Sequence, residues 1–261
     1  MYFELLKNSI KQSLVYRANV FINFLTSFLY LFVTVNIWKA LYRGVSQMDD
    51  ISFTQMLTYV LITQVLVSFK GMQVSNFFAM RIRKGDISLD FIKPYDLKYY
   101  SIFVTAGEVL FKIVVYSLPM LFLGILLWGF QFPKEGWQWL CFIISASLGA
   151  VIYTLIEYVM GLTIFWFKTG FHVQWIMNAL FTLFSGSKVP LWFYPDWLKV
   201  IADYLPFRFI VFEQANIFAG DVTFGYAITV MIIQIFWIMV LSLIGRIVWH
   251  YAQRVITVQG G

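Results

Sequence analysis

Three ionisable residues stand inside long apolar stretches of the chain: Glu108, Lys112 and Glu157. Charge at such places is costly and calls for a pathway or a partner. Glu108 and Lys112 lie seven and eleven residues into a stretch beginning at Ser101, about 10 and 17 Å along a helix rising 1.5 Å per residue. Their spacing, with the glutamate first, is the favourable one for a pair on one helix. Glu157 precedes the end of its own stretch by nine residues, about 14 Å on the same rise. Two readings stay open. The three groups line a route for a proton or a substrate, or they hold helices together, with Lys112 offering both carboxylates a partner. On either reading Glu157 is expected to face other helices and not lipid. Other chemistry is thin. There is no G-x-x-x-x-G-K-[ST], and no Gly-Lys pair at all, so no phosphate loop of that type is encoded. H-E-x-x-H and G-x-S-x-G are missing as well. His172 and His250 are far apart, and Cys141 is the single cysteine, so neither a metal site nor an internal disulfide is expected. No catalytic residues are assigned.

The elements that must carry these groups follow from composition. Of 261 residues, 61% are hydrophobic and only 12% charged, far from the balance of a soluble domain or a disordered chain. The net charge of +6 suits an anionic membrane face better than nucleic acid at this hydropathy. Apolar stretches run over Asn19–Leu41, Phe53–Val74, Ser101–Trp128, Trp139–Trp166, Phe171–Phe184 and Phe224–Val248. Five are long enough to cross a bilayer core of ~30 Å, which takes ~20 residues of helix. The stretch ending at Phe184 is short, and Ser185-Gly186-Ser187-Lys188-Val189-Pro190 stops it. Counting it as a span extended by a re-entrant or interfacial segment makes six, in one all-α membrane domain over 1–261.

Basic residues set the orientation. With the N-terminus inside, twelve basic residues fall on inner pieces and six on outer ones, which predicts both termini in the cytoplasm. Nine of ten tryptophans stand near the span boundaries. The first span lacks a small-residue cleavage site and is expected to remain as an anchor. Residues 1–18 place Phe3, Leu6, Ile10 and Leu14 at helical steps between charges, as an interfacial helix does.

Two segments outside the spans carry more apolar character than solvated loops do. The inner segment 75–100 includes Arg81, Arg83, Lys84, Gly85, Asp86, Asp90, Lys93 and Pro94, interspersed with Ile82, Ile87, Leu89, Phe91 and Ile92. That pattern predicts a short helix whose apolar ridge docks into a partner's groove. The outer segment 185–223 is rich in aromatics. Between Pro195 and Pro206, Trp197, Leu198, Ile201 and Leu205 share one helical face, so the segment is expected at or within the outer leaflet.

These two segments also carry a resemblance. Ile82-Arg83-Lys84-Gly85-Asp86-Ile87, leading to Phe91-Ile92-Lys93-Pro94, resembles the I-x-x-G-D-I … L-x-x-P stretch of six-span ABC type-2 exporter permeases. Ser185-Gly186, Val189-Pro190-Leu191, Phe193-Tyr194-Pro195, Leu205-Pro206-Phe207 and Ile217-Phe218-Ala219-Gly220 are similar to that family's run after the fifth span. The resemblance implies a bacterial cytoplasmic-membrane subunit, paired with a second permease, same or related, and driven by separate ATPase subunits that bind the ATP and magnesium this chain has no site for. It implies that Arg81–Pro94 is the ATPase-coupling helix. It also makes Ser185, Gly186, Lys188, Pro190, Pro195 and Pro206 part of an outer hairpin gate. Lys188 departs from the smaller or apolar residues more usual there, and Glu213-Gln214 stands where a proline is common. Two rival classes remain: a stand-alone secondary transporter or channel using Glu108 and Glu157, and a membrane scaffold or sensor.

Overall fold

The structure, a computed structural model, describes residues 17–71, 74–84, 97–167 and 171–255. Among these residues the only sheet is a two-stranded hairpin, and helices make up nearly all the rest. In chain order they are α1 (Arg17–Leu41), β1 (Gln47–Met48), β2 (Ile51–Ser52), α2 (Phe53–Leu66), α3 (Val74–Lys84), α4 (Leu97–Lys112) and α5 (Leu118–Trp128). Then follow α6 (Gly136–Leu162), α7 (Ile164–Phe167), α8 (Phe171–Phe184), α9 (Asp196–Asp203), α10 (Phe212–Ala219) and α11 (Phe224–Val255).

Among the described residues, five stretches are long and apolar enough to cross a membrane: Val20–Leu41, Phe53–Ile82, Tyr100–Trp128, Gly136–Phe167 and Phe224–Arg254. Val173–Phe184 is a shorter apolar helix. The chain is an all-α, multi-pass membrane protein. In lipid every backbone group must find its partner inside the protein, which is why the spans are helices.

Three of the spans are not uniform helix, Gly136–Phe167 being interrupted at Thr163 between α6 and α7. Phe53–Ile82 starts cleanly, because the Ser52 hydroxyl accepts from the Gln55 N–H and the Gln55 side chain accepts from the Ser52 N–H, a reciprocal cap. After Leu66 it tightens into a 3-10 turn over Val67–Gly71 and resumes as α3. Helix therefore continues through residues that the sequence assigned to the start of the inner loop. Tyr100–Trp128 contains a π-helical turn at Ile113–Ser117 between α4 and α5.

Helix α6 is the hub. Its most extensive contact is with α11, while α3 and α10 also pack on it and α10 touches α2 as well. The close approach has a residue-level cause. At Gly149 a Cβ would stand 2.3 Å from the Gln214 amide nitrogen and 2.9 Å from the Phe209 carbonyl oxygen, so a small residue lets the Pro206–Ile210 turn lie against the helix. Helix α10 is buried along its whole length. Helix α1, in contrast, leans chiefly on α2 and the π turn and leaves Phe21, Leu25, Leu29 and Val33 exposed.

Candidate functional site

Beyond the Val67–Gly71 3-10 turn of the Phe53–Ile82 span, Glu157 meets a backbone donor. A helix beginning inside a bundle presents N–H groups with no intrahelical acceptor. One Glu157 carboxylate oxygen accepts from the Ser75 backbone N–H at 3.2 Å and from its hydroxyl at 2.6 Å. The Tyr153 hydroxyl, one turn away, lies 3.3 Å from the other oxygen and 3.3 Å from the Lys70 carbonyl oxygen. Glu157 is only 3% exposed. It thus faces the bundle and joins α6 to the first turn of α3, where a negative charge also suits the helix dipole. Lys70, expected on an inner loop, is half-buried instead, its ammonium 5.4 Å from the centre of the Phe181 ring.

Glu108 and Lys112 do not share in this cluster. Glu108 is exposed. Among the described residues no ion pair joins Lys112 to Glu108 or to Glu157, so the partnership that the spacing suggested is absent. Lys112 lines a cavity between α1, the end of α2 and the π turn.

The residues read as an outer hairpin form a packed turn. Gly186 has φ +73°, a value that favours glycine, and a Cβ there would stand 2.9 Å from the Tyr59 hydroxyl. That hydroxyl donates to the Gly186 carbonyl at 2.8 Å, and the Phe212 N–H donates to the Ser185 carbonyl at 3.0 Å. Ser185 and Pro190 are buried, Pro195 precedes α9 at the surface, and Pro206 opens the buried 3-10 turn to Ile210. Lys188 is exposed, and its ammonium donates to the Tyr30 hydroxyl at 2.8 Å from beside the ring. On α9 and at its C-cap, Trp197, Val200, Ile201 and Tyr204 are exposed together, an apolar flank suited to a membrane interface.

Sequence reasoning missed the polar groups that tie this region down. Arg208 pairs with Asp203 and with Glu213, its Nε donating to the Glu213 carboxylate at 2.8 Å. Tyr226 donates to the same carboxylate at 2.5 Å. Farther along α11, the Gln234 amide donates to the carbonyls of Ser145 and Phe209, each at 3.0 Å, and the Gln214 amide reaches the same two oxygens. A glutamine inside the Phe224–Val248 stretch was the available signal.

Of the coupling residues, Arg81 and Lys84 lie on α3, with the Arg81 guanidinium 5.4 Å from the Phe77 ring centre and Lys84 exposed. Arg83 is on the same helix. Gly85, Asp86, Asp90, Lys93 and Pro94 fall outside the described residues, as does the expected interfacial helix before Arg17. His250 lies 2.8 Å from Arg254. No group of three potential metal ligands occurs among the described residues.

A family model described as "ABC-2 family transporter protein" matches residues 28–260. The chain belongs to the ABC-2 transporter family. No curated protein sequence matches it. For this ABC-2 family member the match runs from within α1 to beyond α11. It therefore takes in the Glu157 cluster, the Lys112 cavity and the hairpin region together. Membership makes the chain a membrane transport protein.

Proposed function

We propose that this protein is the permease subunit of an ATP-driven exporter in a bacterial cytoplasmic membrane. On this reading it has six spans, with α8 as the fifth, and both termini in the cytoplasm. It pairs with a second permease, and separate ATPase subunits hold the ATP and magnesium. The turn around Ser185–Pro206 is the re-entrant gate at the outer face. The observation that carries the reading is the arrangement of α3. This helix leads directly into the basic and apolar segment 85–96, lies beyond the Val67–Gly71 3-10 turn of its span, and is fastened to the hub helix α6 through Glu157. A push on that segment from an ATPase would move α3 about the Val67–Gly71 turn and pass the motion to α6. Glu157 is then a latch in a mechanical train, and no proton route through it is needed.

Affinity purification of the full chain from its native membrane tests this. An ATP-hydrolysing subunit is expected to co-purify, and to be lost when Arg83, Lys84 and Asp86 are reversed in charge while the chain still elutes as a folded species. Ion-gradient-driven transport by the purified chain alone would overturn the reading.

A further inference from the structure

The cavity beside Lys112 has a volume of about 520 Å³ and is lined by Asn23, Ser27, Gln64, Lys112, Tyr116 and Ser117, with other residues of α1, the 3-10 turn and α5. Among the described residues the side chains of Asn23, Ser27, Gln64, Lys112 and Tyr116 make no hydrogen bond or ion pair. Asn23 is exposed and the other four are half-buried, an unusual store of unused polar capacity within apolar spans, where such groups are normally paired off. Lys112 sits about 18 Å from the Tyr100 end and about 24 Å from the Trp128 end of its span, at 1.5 Å per residue. Neither end is an easy reach for a snorkelling side chain.

The local backbone reinforces the point. The π turn Ile113–Ser117 starts directly after Lys112, and such turns are rare and favour functional sites. It contributes Tyr116 and Ser117 to the cavity, while Val114 within the turn and Leu118 just after it are apolar and exposed. The wall thus sets these polar groups among apolar surface that includes Val67 and Met120. The titratable groups near Lys112 are few. Glu108, a turn earlier on α4, is exposed and does not line the cavity. Tyr30 is the only titratable group that α1 places in the wall, and its hydroxyl is already engaged by Lys188. Lys70, on the neighbouring 3-10 turn, is directed at Phe181.

We propose that this cavity seats the anionic headgroup, a phosphate or carboxylate, of a membrane amphiphile, with Lys112 as its charge partner and the amides and hydroxyls completing its shell. Entry is lateral, the tail remaining along the exposed side of α1. Tyr30 also borders a second cavity of about 500 Å³ that contains Lys188, so a headgroup leaving Lys112 toward the hairpin meets another ammonium behind that ring. The inference rests on the transport reading above and names the class of cargo.

The test uses the full-length chain in phosphatidylcholine nanodiscs, titrated with fluorescent phosphatidylglycerol. Saturable binding is expected, competed by unlabelled phosphatidylglycerol and not by phosphatidylcholine. Lys112→Gln is expected to weaken binding about tenfold, the loss of one charge-assisted contact, and Lys112→Arg to retain it. Ser27→Leu fills the cavity without touching the lysine and should weaken binding to a similar degree, which separates occupancy from charge. Equal binding by Lys112→Gln and the parent chain, or equal competition by phosphatidylcholine, overturns the proposal. Competition by inorganic phosphate as strong as by the lipid overturns the amphiphile in favour of a free anion. Binding is read on the permease alone, so its failure leaves ATPase capture intact, and loss of that capture on charge reversal leaves binding unchanged.

Discussion

Glu157 shows how a charge becomes affordable in a membrane when a backbone needs it. The carboxylate accepts from both the backbone N–H and the hydroxyl of Ser75, and Tyr153 takes up its second oxygen. Replacing it by alanine removes the acceptor and leaves Ser75 unpaired, a cost of about 1–3 kcal/mol. A lower melting temperature in detergent is expected for Glu157→Ala, and a smaller drop for Glu157→Gln. Equal melting of both variants and the parent would refute the latch. Arg208 and Glu213 make the opposite kind of pair, one in which each member needs the other. Arg208→Met strands a nearly fully buried carboxylate, at about 3–5 kcal/mol, whereas Arg208→Met with Glu213→Leu recovers most of that loss. A double-mutant cycle on thermal unfolding reads the difference. The depth of Glu157 was legible in the sequence, because depth follows from counting along a helix. Its partner was not, since Ser75 is 82 residues away. Lys112 taught the reverse lesson: the i,i+4 rule describes an isolated helix, and here the lysine lines a cavity while Glu108 is exposed.

At the scale of elements, the apolar stretches and their stops were readable, and their interruptions were not. Residues 67–84 show only a polar drift in sequence, whereas the fold splits them into a 3-10 turn and a helix that packs on α6. Burial of Val74 and Phe78 against that helix draws α3 into the bundle, an energy that no local pattern records. The turn after Phe184 was legible as a stop from its glycine and proline. What it contacts was not. Gly186→Val is expected to disturb it twice, through a left-handed backbone costing roughly 1–2 kcal/mol for a side-chain-bearing residue and through a clash with Tyr59 and Phe212. Tyr59→Phe loses only the hydrogen bond, about 1 kcal/mol. Melting temperatures should fall in that order, and a Gly186→Val protein as stable as Tyr59→Phe would contradict the packing.

Across the whole molecule, the helices place the hairpin region at one end of the bundle and the exit of α3 at the other. Trp38 stacks near Phe193 at the first end, and Phe165 meets Trp249 near the last turns of α11 at the second. Because the single native cysteine, Cys141, is buried, introduced thiols report on topology with little background. A cysteine at the exposed Tyr204 is expected to react with an impermeant reagent from outside intact cells, and one at the exposed Lys84 only after the membrane is opened. Labelling of both from the same side would overturn the proposed placement of these two ends on opposite faces of the membrane.

The sequence by itself determined that this is an all-α membrane protein, where most of its spans run and which residues carry the family resemblance, because partitioning into lipid depends on local hydropathy and helix stops on local backbone preference. Only the tertiary structure decided which polar groups meet. It set Glu157 on Ser75, gathered Gln214 and Gln234 on the carbonyls of Ser145 and Phe209, and left Lys112 facing a cavity without a partner. Those pairings are made between helices far apart in the chain. In a medium that offers no water to satisfy a buried donor or acceptor, the contacts between helices choose its partner.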